Sequence, residues 1–412
     1  MKSYINIAVI GLGQRGSGLL QNVLVHQDDV EIVALCDAYQ DRVDDGVKVV
    51  QEKKGNNPFA TTDYKQVFEI DGLDAVLVST SWEDHMEVTL YAMKKGIAVA
   101  MEVGGTYSVE ELWEMVRTWE ETRTPFMFME NCCFDRTELL ATSMARKGMF
   151  GEIVHAQGAY GHDLREEIAG GNINRHYRLR NYMKRNCENY PTHEIGPIAK
   201  ILDINRGNRF TSLVSVASKA VGLKDYVSKN KERYEELLNV DFKQGDIVTT
   251  IITCANGETV TLKLDTTLPR FYTRDFTIRG TKGFYEQNTN TVFLEEKEKE
   301  GEEFWNAVDS YKKMIDNGVQ YEQEFLPDFW KNLTVEQRES GHGGMDYFEF
   351  RSFIDALKAG VEPCIDVYDA ATWMAVSVLS EQSILQGGSA VPFPDFTCGK
   401  WLMRERKDVC IF

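Results

Sequence analysis

Apolar and polar residues alternate in blocks over the first 130 residues of the 412-residue chain. Short apolar runs have the length of buried strands, and segments with helical spacing separate them. Strands alternating with helices are typical of a parallel, doubly wound sheet, so we predict an α/β Rossmann domain over residues 1–130. The predicted strands are residues 5–10, 31–36, 73–79, 98–102 and 125–130.

The pattern changes after residue 130. Later segments alternate apolar and polar positions, which is typical of strands buried on one face. We therefore predict an α+β domain over 131–412, built on a large, mainly antiparallel open sheet. The segment near 366–390 is expected to pack at the domain junction, and the charged segments 223–240 and 295–340 are expected at the surface. Predicted strands of this domain are residues 152–160, 211–217, 247–254, 259–264, 276–279 and 291–294.

A glycine-rich turn directly follows the first predicted strand, with the sequence GLGQRG at residues 11–16. Gly11 permits a tight turn, Gly13 lets backbone N–H groups approach a pyrophosphate, and Gly16 lets helix and strand pack closely. A helix predicted over 17–25 adds N–H donors and a positive dipole for phosphates. The alternative is a glycine turn without a ligand.

Asp37 ends the second apolar run, about 20 residues after Gly16, where this fold places an acid on the cofactor ribose. A carboxylate there can accept both ribose hydroxyls and repels a 2′-phosphate, which favours NAD over NADP. Ser79, Glu102 and Glu130 lie at the ends of other predicted strands. Ligands bind beyond those ends in open parallel sheets, so these side chains are candidates for the same site.

Composition excludes several other classes of protein. The formal net charge is −18 at pH 7, which argues against a nucleic-acid surface. No apolar stretch reaches membrane-spanning length, and a first strand at residue 5 leaves no room for a signal peptide. Eight cysteines without CxxC spacing favour free thiols over disulfides or a zinc site. We expect a cytoplasmic protein with no metal, membrane or nucleic-acid partner.

Histidine and tyrosine supply the candidate chemistry of the second domain. His193 lies at the entrance of a predicted helix after Pro191, and its ordinary pKa suits proton transfer near neutral pH. The alternative is a histidine that hydrogen-bonds backbone at a helix start. Tyr160 closes a predicted strand and can exchange a proton with a sugar hydroxyl. The alternative there is an edge aromatic beside a solvated pair, His162 and Asp163.

Other polar residues are also candidates, and two of the segments that contain them have an alternative interpretation. Arg178 belongs to a basic cluster at 175–180 that can bind a carboxylate, amide or phosphate, or can be a solvated loop. Tyr272 lies beside a predicted strand. The glycine-rich segment 341–346 can approach a ligand closely through its backbone, with Asp346 in contact, or can be an ordinary entry to a helix.

Taken together, these motifs resemble the glucose-fructose oxidoreductase and inositol dehydrogenase superfamily. They are most similar to its NAD-dependent glycoside hydrolase branch, typified by bacterial α-N-acetylgalactosaminidases of the family 109 type. The motifs span nearly the whole chain: GLGQRG (11–16), CD (36–37), STSWEDH (79–85), MEVGG (101–105), MENCC (129–133), GAYGHDLR (158–165), NYPTHEIGP (189–197), LDINRG (202–207), LPRFYTRDFTIRGTKG (268–283) and GHGGMD (341–346).

The chain departs from relatives at a few positions. Ordinary dehydrogenases of the superfamily place a lysine after the strand-ending glutamate, whereas this chain has Val103. The hydrolase branch also lacks that lysine, so its absence favours this branch. Within that branch, Glu194-Ile195 replaces an expected Gly-Leu, and Gly104-Gly105 replaces Pro-Ala. These differences bear on sugar specificity more than on chemistry.

The resemblance implies a mechanism that uses NAD without consuming it. Hydride leaves the sugar C3, the resulting ketone acidifies the C2 proton, and the glycosidic oxygen leaves from C1 by elimination. Water then adds, and the hydride returns. The resemblance also implies a homo-oligomer, a dimer or tetramer, acting on a small glycoside.

The resemblance also implies roles for residues. Its implied catalytic residues are His193, Tyr190, Tyr160 and Tyr272, with His193 as base for the C3 hydroxyl. Implied substrate contacts are His162, Arg178 and Asp346. Implied cofactor contacts are Gly11, Gly13, Gln14, Arg15, Gly16, Asp37, Ser79, Trp82, His85, Glu102, Glu130 and Asn131. Two other functions stay open at this point: a sugar or inositol dehydrogenase with net NADH formation, and a nucleotide-bound sugar sensor without catalysis.

Overall fold

The computed structural model describes residues 4–297 and 312–410, so residues 298–311 of the predicted surface segment 295–340 lie outside the described part. The chain divides into two compact units. Unit 1 comprises Met1–Phe134 and Leu333–Ala375, and unit 2 comprises Asp135–Asn332 and Val376–Phe412. The grouping differs from the predicted division at 130 in one respect, because residues 333–375 belong to the same unit as the N-terminal domain.

Unit 1 is built on a parallel sheet, as predicted, with six strands instead of the five expected from the sequence. Their order is β3-β2-β1-β4-β5-β6, so the chain starts in the middle of the sheet and extends it in both directions. β1 and β4 are almost wholly buried, which is why their sequences read as continuous apolar runs. The strands are β1 (Ile5–Ile10), β2 (Val30–Cys36), β3 (Phe59–Thr61), β4 (Ala75–Val78), β5 (Ala98–Glu102) and β6 (Phe126–Met129).

Helices connect these strands, and helix Val109–Thr122 begins at a cap that the sequence provides. Ser108 and Glu111 form a capping box: the Ser108 hydroxyl accepts the Glu111 N–H, and the Glu111 carboxylate accepts the Ser108 N–H. No helix of the described residues is long and apolar enough to cross a membrane. The helices of unit 1 are Gln14–Asn22, Gln40–Lys54, Tyr64–Val67, His85–Lys94, Val109–Thr122, Val335–Glu339 and Met345–Ala359, with short 3-10 turns at Leu24–His26, Asn131–Phe134 and His342–Gly344.

Unit 2 is built on an eight-stranded sheet with the order β13-β12-β11-β7-β10-β9-β8-β14. All neighbours pair antiparallel except β7 and β10, which pair parallel, so the prediction of a mainly antiparallel sheet is confirmed. The strands are β7 (Ile153–Gly161), β8 (Phe210–Ala217), β9 (Ile247–Cys254), β10 (Thr259–Asp265), β11 (Thr277–Gly280), β12 (Gly283–Glu286), β13 (Thr291–Leu294) and β14 (Val391–Pro392).

One face of this sheet is buried. Along β10, residues alternate between buried and half-buried, as the alternation in its sequence predicts. Helix Thr192–Ile201 packs on β7, and Gly158 leaves room for it, since a Cβ there would lie 2.8 Å from the Cβ of Glu194. The other helices of unit 2 are Arg136–Arg146, Arg165–Ala169, Gly171–Asn174, Arg178–Lys184, Gly222–Lys229, Val319–Phe325 and Asp328–Lys331. Helix Val367–Leu385 contributes residues to both units.

Candidate active site

At two glycines of the turn in unit 1, Gly11 and Gly16, neighbouring atoms leave no room for a side chain, whereas the space beside Gly13 is open. Gly11 has φ +98, and a Cβ there would lie 2.4 Å from the Ser79 carbonyl group. A Cβ at Gly16 would lie 2.0 Å from the Gly11 carbonyl oxygen. At Gly13 the nearest atom is Arg42 Nη1, at 3.6 Å. Because Gly13 also precedes helix Gln14–Asn22, the backbone is exposed where a pyrophosphate would bind, and the turn fits a dinucleotide.

Asp37 lies at the carboxyl end of β2 and is held by backbone. Its Oδ2 accepts the Leu12 N–H at 2.7 Å, and its Oδ1 accepts the Tyr39 N–H at 2.9 Å. Arg42 Nη1 lies 3.6 Å from Oδ2. Each carboxylate oxygen has two lone pairs, so a fixed Asp37 still has acceptor capacity for ribose hydroxyls.

Side chains within residues 79–85 hold the backbone of the glycine turn and of residues 104–105 in place. The Ser79 hydroxyl donates to the Gly11 carbonyl oxygen at 2.7 Å. Trp82 is buried against Gly104 and Gly105, where an added Cβ would lie 2.4 Å and 2.8 Å from Trp82 atoms. Both glycines have φ +90, so Trp82 gives a local reason for the Gly-Gly pair in place of Pro-Ala.

His85 is a buried, neutral imidazole. Its Nδ1 lies 2.7 Å from the Ser81 carbonyl oxygen, which makes Nδ1–H the donor. Burial lowers the pKa of His85 to about 4, so the ring carries no charge near neutral pH. A neutral imidazole accepts protons or hydrogen bonds through Nε2.

Arg15 joins the glycine turn to two other parts of unit 1. Its Nε donates to Glu102 Oε1 at 3.0 Å, and its Nη1 and Nη2 donate to the two Asp346 oxygens at 2.7 and 3.1 Å. Asn131 Nδ2 donates to Asp346 Oδ1 at 2.8 Å, and His342 Nδ1 lies 2.9 Å from Asp346 Oδ2. Although burial opposes it, the Arg15 charge holds the pKa of Asp346 far below its usual range.

Two further acids are buried in this part of unit 1. Glu349 lies 3.9 Å from Arg15 Nη2 and is fully buried. Burial and the Glu102 charge raise the pKa of Glu349 well above its usual range, which favours its protonated form. Glu130 is fully buried too, and its Oε1 accepts the Cys132 N–H at 3.1 Å. The sequence did not single out Glu349, and it placed Asp346 with the substrate contacts rather than beside Arg15.

Unit 2 brings the predicted tyrosines and histidines into one ring cluster, formed by Tyr160, His162, Tyr190, His193 and Tyr272. The Tyr160 ring lies 4.7 Å from Tyr190 and 5.6 Å from His193, and Tyr190 lies 4.8 Å from His193, centroid to centroid. Tyr160 Oη is 3.3 Å from His162 Nδ1, and the His162 ring is 5.1 Å from Tyr272. Residues from three separate stretches of chain therefore meet.

Two members of the ring cluster, Tyr160 and His162, are uncharged near neutral pH. Burial raises the pKa of the Tyr160 phenol far above its usual range, even though Arg178 opposes this. Burial lowers the pKa of His162. Tyr160 is therefore a proton donor and His162 a neutral acceptor near neutral pH.

Arg178 is a buried neighbour of the cluster, with 6% of its surface exposed. Its guanidinium carbon lies 4.6 Å from the Tyr190 ring centroid, and its Nε lies 2.8 Å from Glu167 Oε1. Asp163, another acid near the cluster, pairs with Arg165 at 2.7 Å. Both acids are thus engaged in ion pairs, and Arg165 lowers the pKa of Asp163.

Arg274 supports Tyr272 and is a residue that the sequence did not single out. Its Nη1 donates to the Tyr272 hydroxyl at 3.2 Å, and its Nε donates to Glu138 Oε1 at 2.7 Å. Asp135 Oδ2 accepts from the same guanidinium at 2.8 Å. The motif that contains Tyr272 also contains Arg274, but only a fold that pairs Arg274 with helix Arg136–Arg146 shows what it does.

Two family models cover almost the whole chain. Residues 5–129 match the model described as "Oxidoreductase family, NAD-binding Rossmann fold", which confirms the prediction of an NAD-binding domain. Residues 134–403 match "Glycosyl hydrolase 109, C-terminal domain".

Relatives with known names are similar over their full length. A glycosyl hydrolase family 109 protein of Stenotrophomonas maltophilia is 38% identical, across 99% of this chain and 92% of that protein. An alpha-N-acetylgalactosaminidase of Tannerella forsythia is 36% identical, across 97% of this chain and 88% of that protein.

Solved structures with the same fold are dehydrogenases. Levoglucosan dehydrogenase in complex with NADH and L-sorbose superposes with a TM-score of 0.70 at 17% identity, over 95% of this chain and 100% of that one. Scyllo-inositol dehydrogenase of Lactobacillus casei with NAD(H) and scyllo-inositol gives 0.66 at 14% identity, over 95% and 99%. These likenesses show the fold alone. By its C-terminal family model and its relatives, the chain belongs to glycosyl hydrolase family 109 and is an enzyme.

Proposed function

We propose that this enzyme is an NAD-dependent glycosidase that breaks the glycosidic bond through transient oxidation of the sugar at C3. The observation that carries the proposal is the ring cluster of unit 2. Common glycosidases use a pair of carboxyl groups, one of which must be protonated. Here Asp163 and Glu167, two of the acids near the cluster, are ion-paired with arginine, while phenols and imidazoles occupy the cluster itself.

The cofactor belongs to the glycine turn of unit 1. NAD, when bound, supplies the hydride acceptor for the first step and the hydride donor for the last. Gly13 leaves the helix N-terminus open for the pyrophosphate, and Asp37 offers acceptors to the ribose hydroxyls. Arg15 is bound to Glu102 and Asp346, so its role is to hold those residues at the turn.

His193 is assigned to the C3 hydroxyl. It lies in the first turn of helix Thr192–Ile201, half-exposed, with the Tyr190 and Tyr160 rings beside it. As hydride leaves C3, His193 takes the hydroxyl proton, and the sugar gains a C3 ketone. Tyr160, protonated by virtue of its raised pKa, donates a hydrogen bond to the developing oxygen charge.

Tyr272 is assigned to the C2 proton. It is 47% exposed, which leaves its hydroxyl accessible, and Arg274 donates a hydrogen bond to that oxygen. A phenolate accepts such a bond more strongly than a phenol, so Arg274 favours loss of the proton from Tyr272. Removal of the C2 proton expels the glycosidic oxygen from C1. This oxygen gains a proton and leaves as the alcohol. Water then adds across the C1–C2 double bond, and return of hydride to C3 and of a proton to the C3 oxygen restores the sugar.

Relatives suggest the first sugar to test. Proteins of Tannerella forsythia and Shewanella oneidensis, 36% and 33% identical, are named alpha-N-acetylgalactosaminidases. We propose an α-N-acetylgalactosaminide as the substrate, within the wider class of glycosides that carry a free C3 hydroxyl and a C2 hydrogen. The elimination route tolerates either anomer, because it does not require displacement at C1.

The test combines a panel of chromogenic glycosides with two isotope and cofactor measurements. We expect release of the chromophore, no growth of NADH absorbance, and deuterium at C2 of the sugar when the reaction runs in D₂O. Steady growth of NADH with sugar and no aglycone release would instead favour a dehydrogenase. Hydrolysis without any deuterium at C2 would exclude the oxidation route.

A further inference from the structure

Arg274 is a buried cation that contacts two acids at the start of one helix. Its Nε donates to Glu138 Oε1 at 2.7 Å, and its Nη2 lies 2.8 Å from Asp135 Oδ2. A third nitrogen, Nη1, donates to the Tyr272 hydroxyl at 3.2 Å. Glu138 is 1% exposed and Arg274 is 6% exposed. The proposed reaction uses Arg274 but gives Glu138 no task.

The hydroxyl of Thr137 lies between the two acids and limits the protonation states that they can have. Its Oγ1 is 2.9 Å from Asp135 Oδ1 and 2.7 Å from Glu138 Oε2. The Gln287 amide donates to the same Oγ1 at 2.9 Å and to Glu138 Oε1 at 2.9 Å. A hydroxyl has one proton and two lone pairs, so Thr137 can donate to only one of the two carboxyl groups.

A proton on Glu138 satisfies all of these contacts. The acid O–H at Oε2 then donates to Thr137 Oγ1, and the Thr137 hydroxyl donates to Asp135 Oδ1. If both acids were ionised, one of the two contacts would join two oxygens with no proton between them. Asp135 is the ionised acid, because it caps the helix: its Oδ1 also accepts the Thr137 N–H at 2.8 Å, and a helix N-terminus favours negative charge.

Other charges on the same helix and on the neighbouring sheet do not replace this proton. Arg136 is 42% exposed and is bound to Glu322. Tyr285 on β12 has a neutral phenol, because burial, together with the charges of nearby acids, raises its pKa far above the usual range. Among these groups, Arg274 is therefore the buried cation that Glu138 contacts.

Two further helices, Thr192–Ile201 and Val319–Phe325, pack beside the helix that bears the two acids. On the first, Glu194 accepts a backbone N–H of β10 at 3.3 Å, and Lys200 donates to a backbone carbonyl oxygen of the C-terminal segment at 3.4 Å. On the second, Glu324 is exposed. The charged groups of these helices thus have other partners or lie in solvent.

We propose that Glu138 holds a proton and acts, through Arg274, as a positioning residue for the Tyr272 hydroxyl. A neutral Glu138 accepts a hydrogen bond from Arg274 without offsetting its charge, so Asp135 is the one ionised acid of the pair beside the guanidinium. Loss of the Glu138 proton adds a second negative charge there and disfavours the Tyr272 phenolate. The catalytic consequence rests on the proposed function, but the proton on Glu138 does not.

The protonation of Glu138 agrees with its surroundings. Burial and, to a smaller extent, the Asp135 charge raise the pKa of Glu138 to about 7, against the opposing charge of Arg274. Although burial opposes it, Arg274 lowers the pKa of Asp135. Because the pKa of Glu138 is higher in the folded protein than in the unfolded chain, its contribution to stability is present at low pH and is lost as pH rises through about 7.

The first test looks for the proton by infrared spectroscopy of the whole protein with isotopically labelled glutamate carboxyl groups. Glu138→Gln keeps an acceptor for Arg274 and a donor for Thr137, as a protonated glutamate does. We expect wild type to show one labelled protonated-carboxyl band at pH 6 that Glu138→Gln lacks, and this band should fade by pH 8. Glu166→Gln, which breaks an exposed pair with Arg233, is the control and should keep the band. Identical bands in wild type and Glu138→Gln at pH 6 would overturn the proposal.

The second test measures the ionisation of Tyr272 by tyrosinate absorbance, as the difference between each protein and its Tyr272→Phe counterpart. Above about pH 7, Glu138 is ionised in wild type, whereas the side chain in Glu138→Gln stays neutral. We expect Tyr272 to ionise about one pH unit lower in Glu138→Gln than in wild type. Glu166→Gln should leave the midpoint unchanged. Equal midpoints in wild type and Glu138→Gln would overturn the action of Glu138 on Tyr272.

The third test measures kcat and KM of hydrolysis, and deuterium exchange at the sugar C2, against pH. At pH 8, Glu138→Gln should exceed wild type in kcat and exchange rate by about threefold to tenfold, and the two should converge towards pH 6. Glu138→Ala removes both the acceptor and the donor, so kcat should fall by about tenfold to a hundredfold with KM nearly unchanged. A purely structural role would leave the pH profile of Glu138→Gln parallel to that of wild type, which would contradict the proposal.

These tests separate the inference from the proposed function. If no glycoside is hydrolysed but the infrared band and the Tyr272 midpoint behave as expected, the proposed function fails and the role of Glu138 stands. If glycosides are hydrolysed but neither the band nor the midpoint changes in Glu138→Gln, only the inference about Glu138 fails.

Discussion

The ionisable groups beside the glycine turn of unit 1 and those in the ring cluster of unit 2 differ in charge. In unit 1, Arg15 binds Glu102 and Asp346, so the residues beside the glycine turn are charged and paired. In unit 2, the ring cluster contains phenols and imidazoles, and burial keeps Tyr160 and His162 neutral. Ion pairs fix geometry but leave no proton to move, whereas neutral rings can donate or accept one.

This difference agrees with the proposed roles, in which residues beside the glycine turn hold the cofactor and residues of the ring cluster transfer protons. A cofactor that is regenerated in each turnover requires a rigid site, which buried ion pairs and close-packed glycines provide. Proton transfer requires groups whose protonation can change near neutral pH. The predictions below test each side of the comparison, in order of decreasing expected effect.

The largest effect is expected from His193→Ala. Loss of the proposed base should lower kcat by about 10²–10⁴-fold, with little change in stability because His193 is half-exposed. His155→Ala, on β7 of the same unit and bonded to Thr259 at 2.8 Å, is the control and should keep activity. Bound NAD, measured by mass spectrometry, should be retained in both variants. Near-wild-type hydrolysis by His193→Ala would refute the assignment.

Glycine substitutions separate the closed and open parts of the turn. Gly16→Ala should lower the free energy of unfolding by about 3 kcal/mol, because its Cβ would meet the Gly11 carbonyl oxygen at 2.0 Å. Gly13→Ala meets no atom closer than 3.6 Å, so it should keep stability and lose bound NAD. Urea unfolding and NAD content give the two readouts. Equal destabilisation by both variants would contradict the presence of open space beside Gly13.

His85 gives unit 1 a pH dependence of known sign. Its folded pKa of about 4 lies below the unfolded value near 6.5, so its contribution is present at neutral pH and is lost as pH falls from about 6.5 to 4. The loss should reach about 2–3 kcal/mol, at about 1.4 kcal/mol per pKa unit. His85→Asn should flatten stability across this window, and the exposed His26→Asn should not. A slope that survives in His85→Asn would have to come from other groups.

The smallest of these effects is expected at the Arg15 pair. Asp346→Asn should cost about 2 kcal/mol of unfolding free energy, because a buried, charge-assisted bond becomes a neutral one. Asp355→Asn on the same helix is the control, because it also contacts an arginine but is 65% exposed. It should cost about 0.5 kcal/mol or less. Chemical unfolding measures both, and equal losses would remove the contrast between buried and exposed pairs.

Local sequence predicted most of the strands. β1 and β5 have the predicted bounds, and helix Val109–Thr122 begins after the predicted cap, Ser108. Both sheets have the predicted character. β3, β12 and β14 were missed, since β12 begins at a glycine that is typical of a turn, and β3 and β14 have only three and two residues. Such short strands are defined by their neighbours in the sheet rather than by their own periodicity.

The candidate site was predicted in parts. The glycine turn and Asp37 follow from one contiguous stretch, because a strand, a turn and a helix in sequence already determine the local geometry. The tyrosines and histidines of unit 2 came from motifs, and their meeting in one ring cluster depends on three separated stretches. Glu349 and Arg274 carried no local signal.

By itself, the sequence determined the periodicity, the caps and the glycine turn, because each depends on residues within a few turns of one another. Only the tertiary structure decided which charges pair. It placed Asp346 beside Arg15 and Arg274 beside Tyr272. Burial then set the protonation of these groups. Desolvation and Coulomb energies depend on distances between chain segments far apart in sequence, and no local pattern contains those distances.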